Sequence, residues 1–158
     1  MKIWGDNVEQ LYFSEEMAQK LSYIHHNALT MIEAPAGYGK STAVRWAVRD
    51  LPPEQVHWFT AVSFLQDTSL DWFIRQIGML DADAGAALRG LGFLNRSNVS
   101  DAADILTRLS VSAPCYLILD NFQLIGDNWP LPLLQAMADR PHDGLHIILI
   151  SQNFRKLR

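Results

Sequence analysis

Cysteine is nearly absent from this chain: Cys115 is the only one among 158 residues. A disulfide framework and a thiolate metal site are therefore excluded, since each needs partners of the same kind. Long hydrophobic runs are missing too. No stretch approaches the ~20 apolar residues that cross a bilayer, and the first residues, with Asp6 and Glu9, lack the basic-then-apolar order of a signal peptide. Charge of one sign is equally scarce. Thirteen Lys and Arg against 17 Asp and Glu leave a formal net of −4, without the basic face that a nucleic-acid footprint requires. The short basic end, Arg155-Lys156-Arg158, reads as a solvated tail. His142 and His146 have a metal-like spacing but no second ligand pair, and acyl chemistry lacks its Gly-x-Ser-x-Gly elbow. Neither internal repeats nor low-complexity segments occur. The composition predicts a soluble, cytoplasmic domain with no membrane segment and no nucleic-acid contact of its own. With 49% hydrophobic residues it is large enough to bury a normal core.

Against these absences stands one pattern. Ala34-Pro35-Ala36-Gly37-Tyr38-Gly39-Lys40-Ser41-Thr42 follows the apolar run Ala28–Ile32 directly. The form is strand, glycine-containing turn, then Lys-Ser opening a helix, which is that of a phosphate-binding loop. Wrapping an anion with backbone N–H groups needs positive φ angles, which Gly37 and Gly39 supply. The following helix adds its unpaired N–H groups and positive dipole end. In this reading Lys40 reaches the β- and γ-phosphates, and the Ser41 hydroxyl ligates Mg²⁺. Ala34 holds the first position, where glycine is more usual; it is small enough to permit close approach.

The rest of the chain alternates. Ser14-Glu15-Glu16 opens a helix bearing Met17, Leu21 and Ile24. The loop's own helix runs to about Asp50, with Ala43, Val44, Ala47 and Val48 on one face. Gln55–Thr60 reads as a second strand. Thr68-Ser69-Leu70-Asp71 has the form of a capping box, with Leu70, Phe73, Ile74 and Ile77 inward and Gly78 as the stop. Asp81–Asn98 shows no clear period and reads as loop with at most a helical turn. Ser100 caps a further helix carrying Ala102, Ile105, Leu106 and Leu109. Cys115–Asp120 and His146–Ser151 are continuous apolar runs, as strands buried on both faces are. Between them Asn128–Asp139 reads as a short helix entered through Pro130. Trp46, Trp58 and Trp72 are read as core. The fold class expected is α/β: a three-layer αβα sandwich around a mainly parallel sheet with four recognisable strands.

Ligands in such sheets bind at the carboxyl ends of the strands, where three polar endings converge. The first is the loop. The second is Asp120, the carboxylate expected to hold Mg²⁺ with Ser41. Beside it Asn121 stands where an acid commonly activates water; an amide can position a water but cannot take its proton. The third is Gln152-Asn153, read either as γ-phosphate contacts or as plain turn residues. Hydrolysis is expected to be slow or absent.

The loop, the Trp58-containing strand, Leu117-Ile118-Leu119-Asp120-Asn121 and Leu149-Ile150-Ser151-Gln152-Asn153 together resemble a known family. It is the nucleotide-binding domain of the large ATP-binding LuxR-type transcriptional regulators, the group to which the maltose-regulon activator belongs. These are signal-transduction ATPases with numerous domains (STAND), NACHT/NB-ARC-like members of the P-loop NTPases. The resemblance runs from about Leu11 to Asn153. It implies an ATP/ADP-controlled switch, with the phosphate-loop role on Ala34 to Thr42, catalytic roles on Lys40 and Asp120, and Mg²⁺ on Ser41 and Asp120. Two departures bear on turnover: the family commonly has a second acid where Asn121 stands and an arginine where Gln152 stands. Residues 1–27 form a lead-in and helix, and 28–158 the P-loop domain. Members of the family continue into winged-helix, helical-repeat and DNA-binding segments, so this chain is expected to be the N-terminal piece of a longer regulator, partnered by the remaining domains or by copies of itself. With no fifth strand after Ser151, the loop-bearing strand is expected at the sheet edge, a liability in a parallel sheet. A stand-alone P-loop phosphotransferase and a degenerate domain kept as an interaction surface remain the alternatives.

Overall fold

The computed structural model describes residues 19, 21–37, 39–63, 65, 67–111, 114–140 and 144–154. Tyr38, the expected helix start at Ser14, His142 and the basic end Arg155-Lys156-Arg158 lie outside them. Four strands form one all-parallel sheet: β1 (Leu29–Glu33), β2 (Val56–Thr60), β3 (Cys115–Asp120) and β4 (Leu145–Ser151), in the order β1-β4-β3-β2. β3 and β4 occupy the centre and are buried at every residue, which is why they read as unbroken apolar runs. β1 and β2 are half-covered; on β1, Met31 is 45% exposed. Among the described residues β1 pairs only with β4, as expected of the loop-bearing strand.

Strand alternation divides the core into two layers. Tyr116 and Ile118 of β3, with Ile148 and Ile150 of β4, pack on one face against Ala43, Val44 and Val48 and against Leu21 and Ile24. The covering helix there is α1 (Lys40–Ala47), whose turn runs on through Asp50. Cys115, Leu117, Leu119, Ile147 and Leu149 face the other way, into a larger layer. That layer is built by α2 (Ser69–Leu80), α3 (Ala82–Gly90), α4 (Val99–Thr107) and α5 (Leu131–Ala138). Trp46 and Trp58 pack on the first layer and Trp72 on the second, each half-buried. The guanidinium of Arg45 lies 4.5 Å from the centre of the Trp58 ring. At the amino edge of the sheet, His25 bonds Tyr116 Oη (2.8 Å) and the Ala47 carbonyl (3.1 Å). His146 stacks on Tyr116 and bonds the Asn27 carbonyl at 2.8 Å.

Helix boundaries on the larger layer differ from the sequence reading. Thr68 makes no side-chain cap; the Ser69 N–H donates instead to Asp67 Oδ1 (2.8 Å), so the Asp one residue earlier opens α2. The Ser69 hydroxyl is buried and accepts from Trp129 Nε1 at 2.9 Å, a core role rather than a capping one. Gly78 does not stop α2, which continues to Leu80. The stretch read as loop contains α3, nine residues long, capped by Asp81 accepting from Ala84 N (3.1 Å). Gly78 and Gly85 explain both departures. A Cβ added at Gly85 would sit 2.4 Å from Gly78 Cα, so the two helices touch backbone to backbone there. A contact that close outweighs the low helix propensity of glycine. α4 begins at Val99 after Asn98, so its cap position lies two residues ahead of the expected Ser100.

Candidate functional site

Register aligns Glu33 with Ser151 and Thr60 with Asp120, placing all four strand ends on one edge. The phosphate-loop turn leaves β1 there, and the Ala34 N–H still reaches the Ser151 carbonyl of β4 (3.2 Å). Pro35, Ala36 and Gly37 are exposed. Gly37 (φ 83°) and Gly39 (φ 73°) both take the left-handed conformation expected of them. At Gly37 no atom lies within 4 Å of an added Cβ, so the requirement there is for the angle and not for room. Gly39 caps α1, its carbonyl accepting from Ala43 N (2.9 Å). Lys40, Ser41 and Thr42 form the first turn, with Thr42 exposed.

The Lys40 ammonium turns back over the loop, donating to the carbonyls of Ala34 and Pro35, the latter at 3.0 Å. Partial burial holds this amine below its ordinary value, and the nearby Asp120 charge partly offsets the effect. Ser41 Oγ donates to Asp120 Oδ2 at 2.6 Å. Asp120 falls on the α1 side because it continues the alternation of Tyr116 and Ile118, and it is only 6% exposed. Its second oxygen accepts the Asn121 N–H (2.8 Å). The structure thus brings Lys40, Ser41 and Asp120 together at the carboxyl end of the sheet.

Asn121 takes φ 58°, the one positive φ outside glycine among the described residues, a conformation that asparagine tolerates better than most. Its Nδ2 donates to the Ala61 carbonyl (3.1 Å), while Ala61 N donates to the Asp120 carbonyl (3.0 Å). The residue therefore ties the end of β2 to the end of β3. A carboxylate in its place could accept but not donate, so it could not make this bond.

Gln152 leaves β4 between the loop and Asp120, is exposed, and donates its backbone N–H to Gln123 Oε1 (3.1 Å). Ser151 Oγ donates to the Asn153 carbonyl (2.6 Å) and accepts from its N–H (3.2 Å). That tight serine turn fixes where Gln152 emerges. Sequence reasoning missed Ala61 and Gln123 as supports, because Ala61 acts through its backbone groups and Gln123 through a contact between distant segments. Among the described residues no cluster of three or more His, Cys, Asp or Glu is placed to hold a metal ion, and no helix is long and apolar enough to cross a membrane.

No family model matches this sequence, and no curated protein does. The fold is similar to that of a solved structure, the Signal Transduction ATPase with Numerous Domains (STAND) protein with a tetratricopeptide repeat sensor, PH0952, from Pyrococcus horikoshii. The TM-score is 0.59 and the identity 20%, over 93% of this chain and 22% of the other. This chain thus spans about a fifth of the length of that protein. The architecture around the loop, four parallel strands flanked by helices on both faces, is a P-loop NTPase-like α/β fold.

Proposed function

We propose that this chain binds ATP and ADP with Mg²⁺ and acts as the nucleotide switch of a larger signal-transduction ATPase, in keeping with its resemblance to the LuxR-type regulators. The observation that carries the reading is the Ser41–Asp120 bond, 2.6 Å long, directly beside a turn whose two glycines hold positive φ. A hydroxyl and a carboxylate are hard oxygen donors, so the pair fits Mg²⁺ chemically. When bound, such an ion neutralises charge on phosphate oxygens. The chain's own contributions are the α1 amino end and loop amides, which favour an anion, and Lys40, which brings a positive charge to the same turn. Asn121 and Gln152 offer amides where turnover would need a base and a cation. The reading is therefore of binding with slow or absent hydrolysis, the output passing to further domains or to other copies of the chain.

Calorimetric titration with ATP and ADP, each with Mg²⁺, tests this beside Lys40→Ala. The expected result is saturable binding that Lys40→Ala weakens by about tenfold or more, equivalent to roughly 1.4 kcal/mol. Folded protein that binds neither nucleotide would overturn the reading.

A further inference from the structure

A second site lies on the opposite layer. Between α2, α3 and the segment 91–98 runs a cleft of about 620 Å³, lined by Thr68, Asp71, Ile74, Arg75, Leu88, Arg89, Gly92 and Phe93. None of these residues belongs to β1, α1, β3 or β4, so the cleft is separate from the phosphate loop. Its volume is that of a small-molecule site.

Its chemistry is specific. The Gly78–Gly85 contact lets Arg89 fold across α2, its Nη2 lying 3.4 Å from where a Gly78 Cβ would be. Arg75 lies one turn earlier on α2, so two guanidiniums line one cleft. Neither closes an ion pair or hydrogen bond with another described residue. Asp71 also lines the cleft, and with one carboxylate against two guanidiniums a single positive charge is left over. Ile74 and Leu88 supply apolar wall.

Phe93 stands in the same lining, 96% exposed. The ring is open to water, and the backbone that carries it is held in place. Asn98 Nδ2 donates to the carbonyls of Phe93 (2.8 Å) and Leu91 (3.1 Å), and Asn95 N donates back to Asn98 Oδ1 (2.8 Å). Leu91 and Leu94 on either side are anchored against the core. An adjoining cleft shares Asp71, Ile74, Gly92 and Phe93 and adds Asp67 and Asp127, so a negative group is favoured only at the end that Arg75 and Arg89 line.

From these features we infer that the cleft binds a small organic monoanion with a flat apolar body, such as an aromatic carboxylate. Arg75 and Arg89 take the carboxylate, as guanidinium forks do well, and Phe93 covers the ring. The site is a place for an effector distinct from nucleotide.

The test is titration of the intact chain with 2-naphthoate, followed by calorimetry and by the amide resonances of Gly92 and Phe93. Expected is one saturable site that shifts both resonances. The Arg75→Gln/Arg89→Gln double variant should weaken it by about tenfold or more, the scale of a lost charge-assisted contact. Phe93→Ser should weaken it too, and Lys40→Ala should leave it unchanged. Equal binding of the neutral alcohol 2-naphthalenemethanol would overturn the inference. So would binding that survives the double arginine variant, or no saturation below the millimolar range. Because Lys40→Ala acts only on the phosphate loop, failure here is distinguishable from failure of nucleotide binding.

Discussion

The phosphate-loop turn and the α2–α3 hairpin each rest on a pair of glycines, and they use opposite properties of the residue. Gly37 and Gly39 are needed for their dihedrals: φ is positive at both, and around Gly37 there is open space. Gly78 and Gly85 sit in ordinary helices, and at Gly85 what matters is the missing side chain, because an added Cβ would lie 2.4 Å from Gly78 Cα. The turn imposes a conformational requirement, read under the proposed function as serving a ligand, and the hairpin imposes a steric one that serves packing. Identical letters in a sequence thus carry different warrants, and only the first kind has a local pattern.

The contrast can be broken most forcefully at Gly85. Gly85→Ala must push the two helices apart, and a loss of about 3 kcal/mol is expected, the upper range for overpacking; urea unfolding measures it. Nucleotide binding by the fraction that remains folded should be unaltered. Gly37→Ala should do the reverse. Its left-handed strain is expected to cost about 1–2 kcal/mol, a smaller loss of stability, yet calorimetry should show nucleotide binding weakened far more than by Gly85→Ala.

Asp81 sharpens the hairpin side. Its carboxylate caps α3, and hydrogen bonds from the N–H groups of Ala84, Ser110 and Asp83 hold it below its ordinary value despite some burial. A depressed carboxyl contributes stability above the unfolded value of 3.8 and loses it as pH falls through the folded value. Asp81→Asn should therefore destabilise by about 1 kcal/mol at neutral pH, the usual worth of a cap. The difference from the parent chain should shrink below pH 3.8 in denaturant titrations. The smallest effect belongs to Gly78→Ala. An added Cβ there would meet the movable end of Arg89 at 3.4 Å and Gly85 Cα at 3.7 Å. The gain in helix propensity, up to about 1 kcal/mol, should leave the change near zero or slightly favourable.

The same contrast explains what was legible in the sequence. The loop, Lys40, Ser41 and Asp120 could be read because a phosphate-loop turn demands particular residue types at fixed spacing. β3 and β4 could be read because strands covered on both faces admit little but apolar residues. α3 could not, since Gly85 and Gly90 look like breakers until Gly78 is placed beside Gly85. Nor could the role of Asn121 as a strap be read, because its partner, Ala61, is remote in sequence and offers only a carbonyl. The starts of α2 at Asp67 and of α4 at Asn98 each precede the sequence reading for a related reason: adjacent polar side chains compete at the helix start, and at α2 the contact of Trp129 on Ser69 decides among them.

Ser41 gives its one hydroxyl proton to Asp120, and Lys40 donates to two loop carbonyls. A hydroxyl that donates keeps its oxygen lone pairs, and an ammonium has a third N–H, so these bonds hold the side chains in place without using them up. Under the proposed function the turn is therefore preorganised: a phosphate and its cation would meet groups already fixed, and less ordering entropy would be lost on binding.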